Sequence, residues 1–194
     1  MTKKQSKEKR VDDILEAAVE VFVEKGYENT TMSEIAERAG MSKGGLYHHF
    51  LGKDMVLLYA NQKLMEPIEE MMKAARVYES VVEGLGQYIG DYLKYWTERK
   101  KELIFFSLTM TKAMSRIDIF KLYEKFIEDY ISFYEELFTK GIKNGEFREH
   151  DAKSSAVALM SALDGVVIYM VLDKRLDLES VSRGFRERFI ESLR

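Results

Sequence analysis

The chain has 194 residues, 46% of them hydrophobic, and a formal net charge of −3, enough apolar mass for the core of one domain or two small ones. With one proline and 12 glycines it lacks the turn formers of a sandwich or barrel built from many short strands, and an all-α fold is expected. The absence of cysteine excludes disulfides, thiolate metal sites and cysteine nucleophiles.

Apolar residues at Val11, Ile14, Leu15, Ala18, Val21 and Phe22 recur at the spacing of one buried helix face. They predict a first helix from about residue 8 to Lys25, closed by Gly26, since glycine enters the left-handed region at little cost. Thr31-Met32-Ser33-Glu34 has the capping-box pattern, which starts a second helix over 32–39. Gly40 stops it, and Ser42 caps a third, short helix over 43–50 with Leu46 and Phe50 turned inward. Two short helices joined by a tight glycine turn and packed on a longer one predict a helix-turn-helix.

Charge supports that reading by its distribution. Residues 1–10 carry five basic groups against one acidic, and the stretch from Arg38 to Lys53 has no carboxylate at all. A polyanion-binding face therefore sits inside an acidic average. The basic start MTKKQSKEKR lacks the apolar core of a leader, and no run is expected to match the roughly 20 apolar residues of a membrane span. A cytoplasmic protein without membrane partners is the expectation.

From Lys53 a helical stretch leads past Pro67, where a helix is expected to start, end or kink. Residues 53–66 read as a linker to a second domain. Further helices are expected near 78–99, 101–114, 117–143, 151–173 and 177–193. In the last, Leu178, Val181, Phe185, Phe189 and Leu193 form one stripe suited to covering a surface, whereas 156–172 is apolar on more than one face and should be buried on several sides.

The segment TTMSEIAERAGMSKGGLYHHFLGK, residues 30–53, together with AAVEVFVEKGYENTTM before it, resembles the DNA-binding part of the tetracycline-repressor (TetR) family of bacterial transcription regulators. The resemblance implies an N-terminal helix-turn-helix domain over 1–52 and a helical effector-binding and dimerisation domain over 53–194. It implies a homodimer that holds a near-palindromic duplex operator through two copies of the third helix and lets go when a small molecule enters the C-terminal domain. Lys43, Gly44, Gly45, Tyr47 and His48 match the family's DNA-facing positions, with Ser42 and Thr31 as backbone anchors at helix starts and Lys53 as a further phosphate contact. Thr31 has an alternative role, capping its own helix. Lys43 has the donors to read guanine O6 and N7.

The resemblance also implies a four-helix dimer interface from the last two helices, here with Ala158, Ala162, Gly165, Tyr169, Val181, Phe185 and Phe189. Between the two ends the chain is rich in aromatic residues. Tyr88, Tyr92 and Trp96, then Phe106 and Met110, then Tyr123, Phe126 and Tyr130 make helix stripes that serve either as core or as the lining of a chamber for a largely apolar effector. Lys112, Arg116 and Asp164 are the charged candidates for a polar group on that effector.

No phosphate loop, HExxH motif or nucleophile elbow occurs. His48 and His49 lie about 100° apart on a helix and cannot share a metal as i, i+4 ligands do. Catalysis, cofactors and metals are not expected. The alternative to a regulator is a helical adaptor that binds only protein.

Overall fold

The computed structural model describes residues 3–194, and the side chains of residues 8–116 and 124–194 among them. The architecture is all-α: α1 (Lys3–Asn29), α2 (Met32–Arg38), α3 (Lys43–His49), α4 (Lys53–Arg76), α5 (Val81–Thr97), α6 (Lys100–Ser115), α7 (Ile117–Lys143), α8 (Ala152–Leu172), α9 (Leu178–Phe189) and a closing 3-10 turn, Glu191–Leu193. Packing gathers them into two compact units, one of residues 1–66 and 101–115, the other of 67–100 and 116–194. The first unit therefore reaches beyond residue 52 and takes α6 with it.

In the first unit, the α1 stripe behaves as its spacing predicts: Ile14, Leu15, Ala18, Val21 and Phe22 are at most 4% exposed. Gly26 breaks the helix with φ +75°, and a further turn follows to Asn29. Met32, Ile35 and Ala36 of α2, Leu46 of α3 and Phe50 complete this small core. Helix α4 neither starts nor ends at Pro67 but runs on through it, and its first half, 53–66, groups with the first unit. Burial of Met65 before the proline and Ile68 after it outweighs the backbone bond that proline forfeits.

The second unit is built on aromatic packing. Tyr88, Trp96, Phe133, Tyr134 and Phe138 are all fully buried. Glu146, in the turn before α8, joins α7 to α5. Its carboxylate accepts from Ser80 Oγ at 2.7 Å and from the backbone N–H groups of Val81 at 3.0 Å and Val82 at 3.2 Å, the free donors of the α5 start. Burial works against this charge, but those bonds and one from Asn144 hold the carboxyl down at about 2.

Within one chain α8 buries one face, Ala156, Leu159, Leu163, Val167 and Met170, while Tyr169 is 65% and Leu172 73% exposed. An apolar sequence is buried on several sides only where several elements surround it, and the described residues of one chain leave the outer side of α8 open. With Lys153 and Asp164 its only charges, Ala152–Leu172 is long and apolar enough by composition to cross a membrane, contrary to expectation. Its packed face and the Asp164 side chain are engaged within the unit. Along α9 no residue is buried; the Phe185 and Phe189 rings lie tilted against each other with centroids 5.5 Å apart.

Candidate nucleic-acid interface and interior polar cluster

The capping box predicted at Thr31 forms. Thr31 N donates to Glu34 at 2.8 Å, and Thr31 Oγ1 accepts from Glu34 N at 3.3 Å. Hydrogen bonds from Lys25 first, then from Thr31, hold the Glu34 carboxyl at about 2. Of the two roles expected for Thr31, the structure shows the cap, because its hydroxyl is engaged with its own helix. The turn that follows is a Schellman motif: Gly40, φ +62°, donates to Glu37 O at 3.0 Å, and Met41 N donates to Ala36 O at 2.9 Å. Ser42 then caps α3, accepting from Gly45 N at 3.1 Å.

These local bonds set the rotation of α3. Leu46 is fully buried and Phe50 is 4% exposed, which anchors one side. Ser42, Lys43, Gly44, Tyr47 and His48 emerge on the solvent side, the arrangement expected of them. The two glycines differ. A Cβ on Gly45 would stand 3.2 Å from Met41 Cε and 3.3 Å from Ser42 Oγ, so the cap itself asks for a small residue there; around Gly44 nothing lies within 4 Å. The bare backbone at Gly44 thus serves no packing within the chain and leaves room for close approach from outside.

Of the cations near α3, the structure leaves Lys43 available. Arg38 is held by Glu24 at 2.6 Å and Glu20 at 3.1 Å. Lys53, expected at a phosphate, donates instead to three carbonyls closing α1, those of Tyr27 at 2.6 Å, Thr30 at 2.9 Å and Glu28 at 3.3 Å. An ammonium has three N–H donors, and all are taken. Its ammonium also sits 4.3 Å from the centroid of the Tyr27 ring. Lys53 is therefore a helix-end clamp. Lys112, considered for an effector, faces the same ring at 4.4 Å and pairs with Glu28.

The residues expected to line a chamber are shared between the two units. Phe106 and Met110 are half-buried in the first unit, whereas Tyr88, Tyr92, Trp96, Phe126 and Tyr130 belong to the second. The Tyr123 side chain lies outside the described residues. Within the second unit the tyrosines build a polar network in an aromatic core. Tyr88 Oη and Tyr134 Oη are 3.0 Å apart, and Tyr92 Oη donates to Asp164 Oδ1 at 2.6 Å. Burial, only partly offset by that bond, raises the Asp164 carboxyl above its ordinary range. Tyr134 was missed by the sequence reading, although it follows Tyr130 at i+4.

Among the residues expected at a dimer interface, Ala158 and Tyr169 are exposed, and Ala162, Gly165, Val181, Phe185 and Phe189 are half-buried. A Cβ on Gly165 would meet nothing within 4 Å.

Comparison with known proteins accounts for both ends of the chain. Residues 14–60 match the model of bacterial regulatory proteins of the tetR family, and residues 103–193 match that of the QacR-like C-terminal region. YfiR of Bacillus subtilis (strain 168), an uncharacterized HTH-type transcriptional regulator, is 30% identical over 148 residues, covering 75% of this chain and 71% of YfiR. The fatty acid metabolism regulator protein of the same organism is 25% identical over 183 residues, 93% of each chain. Among solved structures, AibR in complex with isovaleryl coenzyme A and operator DNA aligns with a TM-score of 0.74 at 25% identity, over 93% of this chain and 98% of AibR. On this agreement of motif, helix order and full-length similarity, the chain belongs to the TetR family of bacterial transcriptional regulators.

Proposed function

We propose that the protein is a ligand-responsive repressor. It binds a near-palindromic operator as a homodimer through two copies of α3, and a small, largely apolar effector held by the second unit releases it. The observation that carries this reading is the exposed side of α3: Ser42, Lys43, Gly44, Tyr47 and His48 face solvent with no carboxylate between Arg38 and Lys53. One such helix reads only a few base pairs, so specificity asks for a second copy about one turn of duplex away, roughly 34 Å. The apolar outer side of α8 and the unburied stripe of α9 supply a surface for pairing two chains. In this division of labour residues 1–52 read DNA and 53–194 pair the subunits and sense the effector. The role is one of binding without catalysis, in the cytoplasm where the operator lies. A ligand that prefers the released form about 100-fold shifts operator affinity by roughly 3 kcal/mol.

Selection from random duplexes tests the reading. It should recover two inverted half-sites about one helical turn apart, bound with an affinity that falls steeply as salt rises. A pool without any preferred sequence would leave a protein-binding adaptor as the better account. Release is then screened with acyl-CoA thioesters, the ligand class of the AibR complex, and with apolar amines, alcohols and acids.

A further inference from the structure

The second half of α4 and the middle of α7, both in the second unit, border a groove of about 640 Å³, a volume typical of small organic ligands. Its apolar wall is Met72, Phe126 and Tyr130, the last two with ring centroids 4.3 Å apart. Most charge around it cancels. Arg76 pairs with Glu136 at 2.9 Å, Lys73 with Glu70 at 2.7 Å, and Asp129 with Lys125 at 3.0 Å.

Two groups are left over. Among the described residues Glu69, on the groove wall, has no hydrogen bond or ion pair. Tyr130 Oη has no hydrogen-bond partner although the residue is only 6% exposed, a costly condition for a hydroxyl. Burial first, then the charges of Glu69 and Asp164, push the Tyr130 phenol far up, so it stays neutral. Both leftovers suit the same guest: a carboxylate is balanced by positive charge, and a hydroxyl oxygen accepts an N–H. An anion would be repelled by Glu69, whose charge Lys73 feels while ion-paired to Glu70, and would have to break the ion pair of Lys73 or Arg76 to gain a cation. The same helix pair already holds a cation against an aromatic face, with the Arg76 guanidinium 5.0 Å from the Phe133 ring centroid.

We infer that this groove binds a protonated primary or secondary amine carried on an apolar body, its ammonium between the Glu69 carboxylate and Tyr130 Oη and its body on Met72 and Phe126. The inference deepens the effector reading above and rests on it only for the consequence of binding, since binding itself needs no DNA.

Calorimetric titration of the full-length protein with octylammonium, octyltrimethylammonium, octanol and octanoate tests it. Octylammonium should bind about tenfold or more tightly than octanol or octanoate, as a charge-assisted contact in a partly dry site implies. Glu69→Gln should remove that advantage while leaving octanol affinity unchanged, which also reports an intact fold. Tyr130→Phe should weaken octylammonium but spare octyltrimethylammonium, which has no N–H to give. Octanoate binding as tightly as octylammonium, or octylammonium affinity unchanged in both variants, overturns the proposal. In a parallel assay octylammonium should displace operator from the wild type and not from Glu69→Gln. If it binds as stated and operator stays in place, the groove assignment stands and the effector reading of the unit fails.

Discussion

Helix α3 and helix α8 each leave one side uncovered, and the two sides are of opposite chemistry. On α3 the open side is polar and cationic, with Ser42, Lys43, Gly44, Tyr47 and His48. On α8 it is apolar, with Val157 and Ile168 each 43%, Tyr169 65% and Leu172 73% exposed. Both helices are anchored by a buried opposite side, Leu46 in the first case and Leu159, Leu163 and Val167 in the second. An uncovered side is informative only when the other side fixes the helix, because otherwise rotation would bury it. The polar side is suited to a phosphate-rich duplex and the apolar side to another apolar surface, for which a second copy of the chain is the proposed occupant.

The comparison breaks first if the anchors are removed. Leu46→Ala should destabilise the protein by about 2–5 kcal/mol, as truncation of a fully buried leucine does, and should weaken operator binding along with folding; denaturant unfolding checks this. Stability unchanged by the substitution would mean that α3 is not held by its core side. Gly165→Leu sharpens the contrast from the other end. Since the site is open within one chain and leucine suits a helix better than glycine, the helix should form as well or better. Across a close helix–helix contact the side chain would intrude, shifting dimer dissociation by roughly 100-fold, about 3 kcal/mol. Sedimentation should then find a species of 22.6 kDa, and a variant that stays dimeric would move the interface away from Gly165.

Smaller effects come from the two carboxylates that cap helices, Glu34 for α2 and Glu146 for α5. Each is held at about 2 against an ordinary 4.5. A carboxyl depressed on folding stabilises above its unfolded value and loses that contribution as pH falls. Stability should therefore decline between pH 4.5 and about 2, and Glu146→Gln should flatten that decline while costing about 1–2 kcal/mol at neutral pH through weakened hydrogen bonds. Acid titration of thermal midpoints measures it; an identical profile in the variant would remove Glu146 from the account. Thr31→Ala, which takes away one side of the capping box, should cost about 1 kcal/mol, and an unchanged denaturation midpoint would contradict the cap.

What was legible in the sequence was local. The Thr31 capping box, the Gly40 turn and the Ser42 cap each lie within a few residues, so their chemistry is written contiguously and the inward turn of Leu46 and Phe50 follows. Contacts between distant segments were not legible. Lys53 beside a helix-turn-helix resembles a phosphate contact, yet the carbonyls that accept its hydrogen bonds lie 23–26 residues upstream. Aromatic stripes at i, i+4 show that a helix has a packed side and not which unit it packs in, and Phe106 and Met110 group with the first unit while the tyrosines group with the second. The sequence of α8 is apolar nearly all round, which hid that one side finds no cover within the chain. Nothing in the sequence pairs Glu69 with Tyr130; only the groove sets them on one wall.

The most direct measurement is the affinity of wild-type protein and of the Lys43→Ala, Tyr47→Ala double variant for a selected operator and for a scrambled duplex, across a salt series. The account predicts that the wild type prefers the operator, that the double variant loses about 100-fold or more of that preference with an unchanged circular dichroism spectrum, and that its salt dependence becomes shallower. Equal affinity of the two proteins for the operator would contradict it, since the exposed side of α3 would then not be what meets DNA.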